Sequence, residues 1–404
     1  MKKRLTLFLC ILLFLLPCLS LWSFDFGLLV DQKFEAEKSE NILFSYTPGF
    51  APWFSWDGGK GLSLYFSGLV SMKYNKSDDG IDENDNWGKP VIIPELTRFS
   101  LSYRSGNIFS VELGRISYSD ALGLTSYGLF DGLGFRAAMS AGNLSAGVFY
   151  TGLLYKETAE ITMTASDINA YANPRNLEEF ADYFASRRLM ASLRWDMPLG
   201  EIFALSLETL AQFDLNGRED RLHSQYGEVQ LDLFLNKTGI TFGAVFEAME
   251  NENQEFAAAI GALARLKTEI PGSLNDGIDL TAKFGSGAWN DTFVAFAPVN
   301  STAQGAVFSG TLPALAVLSA GYNVRFHRTL LADLTLRYFM KTYDDPSEEG
   351  SFYGGEFWAS VIWQPLDDIR VNLGGGVFFP RMGNLYPSDT GIMWKINAGL
   401  SLSF

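Results

Sequence analysis

Few side chains in this sequence are equipped for covalent chemistry, and their spacing argues against it. The chain holds two histidines in 404 residues, His223 and His327. His223 precedes Ser224 and follows Glu219 and Asp220, the residue types of a base, a nucleophile and an orienting acid. The segment alternates like a strand, however, and neighbouring strand residues point to opposite faces, which separates His223 from Ser224. His327 falls in a turn. No Cys/His/Asp/Glu set has metal-ligand spacing, and there is no phosphate loop or nucleic-acid module. A net charge of −15 also opposes nucleic-acid binding. The chain therefore reads as a non-enzyme with no cofactor, no metal and no nucleic-acid partner.

What remains is the chemistry of placed charges. The densest string runs Glu112-Leu113-Gly114-Arg115-Ile116-Ser117-Tyr118-Ser119-Asp120 and on to Phe130-Asp131-Gly132. Arg115 is in phase with Val111 and Leu113, the apolar side of its strand. A rim position from which the guanidinium snorkels is one reading of it. A structural turn and a functional site are both open for Asp120 and Asp131.

The elements that must position these charges are strands. In the last ten residues Ile396, Ala398, Leu400, Leu402 and Phe404 share one face, and Lys395, Asn397, Gly399, Ser401 and Ser403 the other. The same period recurs in Leu189/Ala191/Leu193/Trp195, Phe203/Leu205/Leu207, Ile278/Leu280/Ala282/Phe284 and Ile369/Val371/Leu373. The pattern predicts about eighteen strands, with sixteen as the alternative. Short connections near 56–61, 105–107, 142–143, 198–200, 236–239, 271–277, 327–329 and 365–368 alternate with mostly longer, often acidic ones. The link between the first two strands is placed at 35–41, and one strand is taken to end near Lys156. Segment 157–186 is expected either to fold inward or to lie over the surface as a lid.

Residues 1–23 read as a secretory signal peptide: Lys2, Lys3 and Arg4 precede an apolar run from Leu5 to Leu16, too short to anchor. Residues 24–404 form one domain. Both cysteines, Cys10 and Cys18, fall within the leader, so no disulfide scaffold is expected beyond it. Later apolar runs are too short for helical spans. The abundance of Phe (33), Tyr (16), Trp (9) and Gly (39) suits strands with one face in lipid. A soluble β-helix or sandwich also alternates, but it would bury its apolar face and carry few aromatics at strand ends. Here Tyr65, Tyr103, Tyr118, Tyr155, Trp195, Tyr322, Tyr338, Tyr353, Trp363 and Trp394 recur near those ends. Extended chain crosses lipid only where the sheet closes on itself. The reading is all-β: a transmembrane antiparallel β-barrel with short periplasmic turns, long extracellular loops and both termini periplasmic.

The closing strand resembles that of Gram-negative-type outer-membrane barrels, in which a terminal aromatic such as Phe404 belongs to the signal read by the barrel assembly machinery. As architecture, nearly the whole chain is similar to outer-membrane barrels of porin or transporter type from spirochaetes or other diderms, without a specific family motif. The Gly114-Arg115…Asp120…Asp131-Gly132 string resembles a stretch that often precedes an inward loop in porins. That resemblance implies a constriction near Arg115, Asp120 and Asp131.

In such a barrel the polar face lines the interior with Arg98, Arg188, Arg194, Glu208, Asp232, Asp279, Lys283, Asp333, Arg337, Glu356, Arg370 and Lys395. Charges of both signs either line a wet channel or pair to pack a plug, and barrels of this size are wide enough for water. The expected function is passive diffusion of small hydrophilic solutes across the outer membrane, with lipid and the assembly machinery as partners. The alternatives are a non-conducting surface barrel that binds a host or envelope partner, and a transporter of hydrophobic substrates. Oligomeric state is left open.

Overall fold

In the computed structural model the alternation closes into a single 18-stranded antiparallel sheet, the fold of a transmembrane β-barrel. The structure describes residues 23–404 except 40, 78–89, 173–179, 218, 252–254, 273, 290–292 and 344–349. Residues 1–22 of the expected leader, both cysteines and most of the acidic stretches at 75–90 and 344–350 lie outside the described residues. The first nine strands are β1 (Ser23–Lys38), β2 (Ile42–Gly59), β3 (Leu62–Ser77), β4 (Val91–Ser105), β5 (Phe109–Ser119), β6 (Tyr127–Met139), β7 (Gly142–Tyr150), β8 (Arg188–Leu199) and β9 (Phe203–Asp214). The second nine are β10 (Leu222–Leu235), β11 (Thr238–Asn251), β12 (Phe256–Glu269), β13 (Gly277–Gly285), β14 (Leu315–His327), β15 (Leu330–Lys341), β16 (Phe352–Leu366), β17 (Ile369–Phe379) and β18 (Met393–Ser403).

Each strand pairs with its sequence neighbours, and β1 pairs with β18 to close the wall. At that seam Leu28 N donates to Phe404 O at 3.0 Å and Phe404 N donates to Leu28 O at 2.9 Å. Because pleated side chains alternate, each rung of the ladder carries one kind of residue around the wall. Leu101, Leu113, Leu133 and Val148 occupy successive positions of one outward row, and all are exposed. Three registers away, in the opposite phase, Arg136, Ser145 and Arg194 face the interior. No helix among the described residues is long and apolar enough to cross a membrane.

Several boundaries differ from the expectation: β2 runs on to Gly59 through most of the 56–61 turn, and β6 begins at Tyr127. β1 continues through the 35–41 link to Lys38, because Glu35 and Glu37 find Lys395 across the closing ladder. β7 ends at Tyr150, earlier than expected, and Tyr155 instead bridges to Phe184 inside the following connection. Tyr65 and Tyr118 also line the interior and are not part of an outer aromatic ring. Short turns occupy the rim that holds both termini, and the connections 120–126, 151–187 and 286–314 leave from the other rim. Segment 151–187 carries two short helices, α1 (Lys156–Ala159) and α2 (Ala165–Ala172), and a 3₁₀ turn at Phe180–Tyr183.

Candidate functional site

The interior is organised by the β5–β6 hairpin, which leaves the wall. β4 and β5 are last paired at Phe99–Arg115, and β6 and β7 at Asp131–Tyr150, while β5 and β6 stay paired to Ser119–Tyr127. Above Arg115 and Asp131 the hairpin therefore has no wall partner on either side. Its apolar side chains turn inward instead. Ile116, Leu122, Leu124 and Phe130 are buried in one cluster with Leu210, Tyr226 and Val245 from β9 to β11. Gly243 on β11 makes room for it: a Cβ there would lie 2.0 Å from Leu122 Cδ2.

An open sheet edge needs its backbone groups satisfied. Arg115 does this at the point of departure. It is 5 % exposed and grips Asp131 through Nε–Oδ1 at 2.9 Å and Nη2–Oδ2 at 2.8 Å. It also donates to Leu96 O on the abandoned edge of β4 and to Leu153 O at 3.0 Å. On the same edge Pro94 has no N–H to orphan, and its carbonyl accepts from Tyr183 Oη at 2.6 Å.

The tip is held by carboxylates. Tyr118 Oη and Ala121 N both donate to Glu208 at 2.7 Å, and Thr125 Oγ1 donates to Glu228 Oε1 at 2.7 Å. Asp120 folds the turn by accepting from the amides of Leu124 (3.1 Å), Thr125 (3.2 Å) and Ser126 (2.7 Å). Burial pushes the Asp120 carboxyl above the usual carboxylate range, against those three amides.

The other two connections fold onto the tip. Val299 N donates to Thr125 O at 2.7 Å, and Asn300 Oδ1 accepts from Tyr127 N at 3.1 Å. Asn300 Nδ2 donates in turn to Ala159 O at 2.6 Å, so all three segments meet at this one amide. Segment 286–314 is tethered by Glu356 on β16, which accepts from Ala306 N, Val307 N and Phe308 N at 2.8–2.9 Å and from Arg337 at 2.6 Å. Segment 151–187 is tethered by Arg188, fully buried between Asp167 of α2 and Asp214 at 3.1 Å. Ser166 N adds a 2.7 Å bond to Asp220.

Two cavities flank the hairpin. One, of about 1030 Å³, opens toward the short-turn rim and is lined by Tyr65, Arg98, Arg104, Glu112, Arg136, Arg194 and many serines. The other, of about 600 Å³, lies between Leu122–Leu124 and the wall, with Arg265, Lys283 and Arg337 along it.

Most of the polar residues read from the alternation have a charged or polar partner, and Arg337 and Glu356 pair with each other. Arg98 meets Glu112 at 3.3 Å and stacks over Tyr65; Arg194 meets Asp196 at 2.7 Å; Lys395 meets Glu37 at 3.1 Å. Asp279 takes Arg265 Nε at 2.9 Å, Asp232 accepts from Gln230 and Thr241, and Arg370 donates to Asn372. Asp333 stands on β15 opposite Asn323 and Ser360. Lys283 differs in bonding an amide, Gln304 Oε1 at 3.0 Å. Of the three residues named for a constriction, Arg115 and Asp131 pair at the hairpin root and Asp120 folds its tip. Glu228, Glu247, Arg265 and Asn300 were missed. The first three follow from extending the polar phase of their strands, whereas Asn300 carries no local signal. His223 Nδ1 accepts from Asp214 N at 3.0 Å, a structural bond.

No protein-family model matches the chain, and no curated protein matches its sequence. Among solved structures it is similar to Acinetobacter baumannii OccAB2, with a TM-score of 0.62 at 8% identity over 95% of this chain and 98% of that one. Pseudomonas aeruginosa OccK5 (OpdH) superimposes with a TM-score of 0.61 at 7% identity, and P. aeruginosa OpdK, solved with vanillate, with 0.61 at 10%, each over the same shares of the two chains. At such identities the likeness is one of fold, and the fold common to all of them is this 18-stranded barrel.

Proposed function

We propose that the chain is an outer-membrane channel through which small hydrophilic solutes diffuse, with both termini periplasmic and the outer rows of apolar side chains in lipid. The supporting observation is the pair of polar cavities on either side of an in-folded hairpin. A lumen meant only as a core would have been filled with apolar side chains, whereas these spaces are lined by hydroxyls and by charges of both signs. The hairpin tip with Asp120, rooted at Arg115 and Asp131, forms the constriction in this reading. Lys283, bonded to an amide, gives the smaller cavity a preference for anions. OpdK, a barrel of the same fold, was solved with vanillate, an aromatic carboxylate. Phe404 acts in recognition by the assembly machinery.

The test is planar-bilayer conductance of the refolded mature chain, with heat-modifiable gel mobility as the control for folding. Stable steps that scale with salt support the channel. A mobility shift without conductance favours a second reading, a closed barrel whose loops bind a partner or pass hydrophobic substrates. The mutual tethering of the three in-folded segments at Asn300 supports that reading.

A further inference from the structure

Away from the hairpin, the inner wall carries an indole laid flat on glycine. Trp358 on β16 stands opposite Gly376 of β17, and Gly374 lies one rung nearer the short turn. A Cβ at Gly376 would lie 2.7 Å from Trp358 Cε3, and one at Gly374 would lie 2.6 Å from its Cζ2. These atoms are opposite corners of the six-membered ring, so one face of the ring rests on β17. The side chain is only partly buried, so the other face is presented to the lumen. Glycine inside a strand forfeits packing and marks a close approach. Here two glycines keep the plate flush with the wall.

The edge of the plate is polar. Ser360 and Asn397 flank Gly374 on the same rung, and Asn397 Oδ1 lies 2.5 Å from the Cβ position there. Neither the Ser360 hydroxyl nor the Asn397 amide bonds a described residue. Glu35 follows Asn397 across the closing ladder, and Asp333 stands beside Ser360. The two cations on this patch are Lys395 and Lys33. Lys395 is held by Glu37 at 3.1 Å and Glu35 at 3.9 Å. Against Glu35, Glu37 and Asp333 the two lysines leave no positive surplus for an anion.

We propose that Trp358 is a stacking plate for a pyranose ring, which makes neutral saccharides a solute class of this barrel. The ring face of an aromatic is electron-rich and attracts the C–H face of a sugar. Sugar hydroxyls both donate and accept, and the rim offers both: acceptors on Glu35 and Asp333, and mixed groups on Ser360 and Asn397. A flat aromatic acid would stack as well, but its carboxylate would find Lys395 already engaged. The plate lies two residues from Glu356, where segment 286–314 docks, on the side of the short-turn rim. Its role in transport rests on the channel reading; its binding does not.

The test is saturation-transfer NMR of maltose with the full refolded barrel in amine-oxide micelles, which carry no sugar. Wild type is expected to transfer saturation to the pyranose C–H protons. Trp358→Ala is expected to bind maltose about tenfold more weakly. Trp363→Ala, outward on the same strand, is expected to bind as wild type does. Heat-modifiable mobility reads the folding of each variant. If Trp358→Ala does not fold, Asn397→Ala decides, with binding about fivefold weaker expected. No transfer in wild type, or undiminished binding by the folded variant, overturns the plate. Benzoate bound more tightly than maltose overturns the saccharide class. Bilayer current separates the two readings. A barrel that binds maltose through Trp358 without conducting keeps the plate and sinks the channel. One that conducts without binding maltose keeps the channel and sinks the plate.

Discussion

Arg115 and Asp131 lie opposite each other on the last rung where the β5–β6 hairpin is still paired to both neighbours. One ion pair thus marks where the hairpin stops being wall and becomes lumen. By phase both side chains belong to the outer face, yet Arg115 is buried, because its guanidinium fills the edge that β4 exposes when β5 departs.

Removing one member of that pair leaves the other buried and uncompensated. Arg115→Leu is expected to cost about 3–5 kcal/mol, and the double variant Arg115→Leu/Asp131→Leu less than either single change. Urea midpoints of the refolded barrel read this, and equal losses in single and double variants would contradict it.

The tether of 286–314 is concentrated in Glu356. Glu356→Ala orphans the amides of Ala306, Val307 and Phe308 and frees Arg337, each lost bond worth about 1–3 kcal/mol. The segment is expected to withdraw from the lumen, giving larger and noisier conductance steps. Unchanged steps would show that Asn300 and Val299 suffice to hold it.

Anion preference is assigned to Lys283 because its partner is an amide. A unit charge interacts by about 1 to 4 kcal/mol at 4 Å between bulk-water and protein-surface conditions. Lys283→Glu should therefore move the reversal potential in a salt gradient toward cation selectivity, and Arg265→Gln, already offset by Asp279, should move it less.

Acid is expected to loosen α2 through Asp220. Burial raises this carboxyl, but the hydrogen bonds from Ser166 and Thr164 outweigh it and hold it below the usual carboxylate range. A depressed carboxyl contributes stability above its ordinary pKa and loses it as pH falls through the depressed one. Hydrogen exchange at Ser166, corrected for intrinsic rate, should accelerate only below the ordinary range, and in Asp220→Asn already at neutral pH.

The closing seam tolerates no side chain at Gly27, where a Cβ would come within 2.4 Å of Phe404 O. Gly27→Val is expected to part β1 from the C-terminus and to lower the temperature of the heat-modifiable mobility shift. An unshifted temperature would mean that the Leu28–Phe404 bonds survive the intrusion.

The strand count and the closed antiparallel wall were legible from local patterning. Each depends only on residues two apart sharing a face, and Leu101, Leu113 and Lys395 fall where that period puts them. The same rule failed at Arg115. Its phase is correct, but its surroundings depend on where β4 stops pairing, which no residue near it encodes. β7 ending at Tyr150 was hidden for the same reason. The bond of Thr125 to Glu228 joins positions more than a hundred residues apart, and Asn300 meets Tyr127 and Ala159 only because three connections enter one lumen. Alternation is a short-range property of the backbone, whereas the content of the lumen is set by closing the sheet into a cylinder and by the hairpin that leaves it.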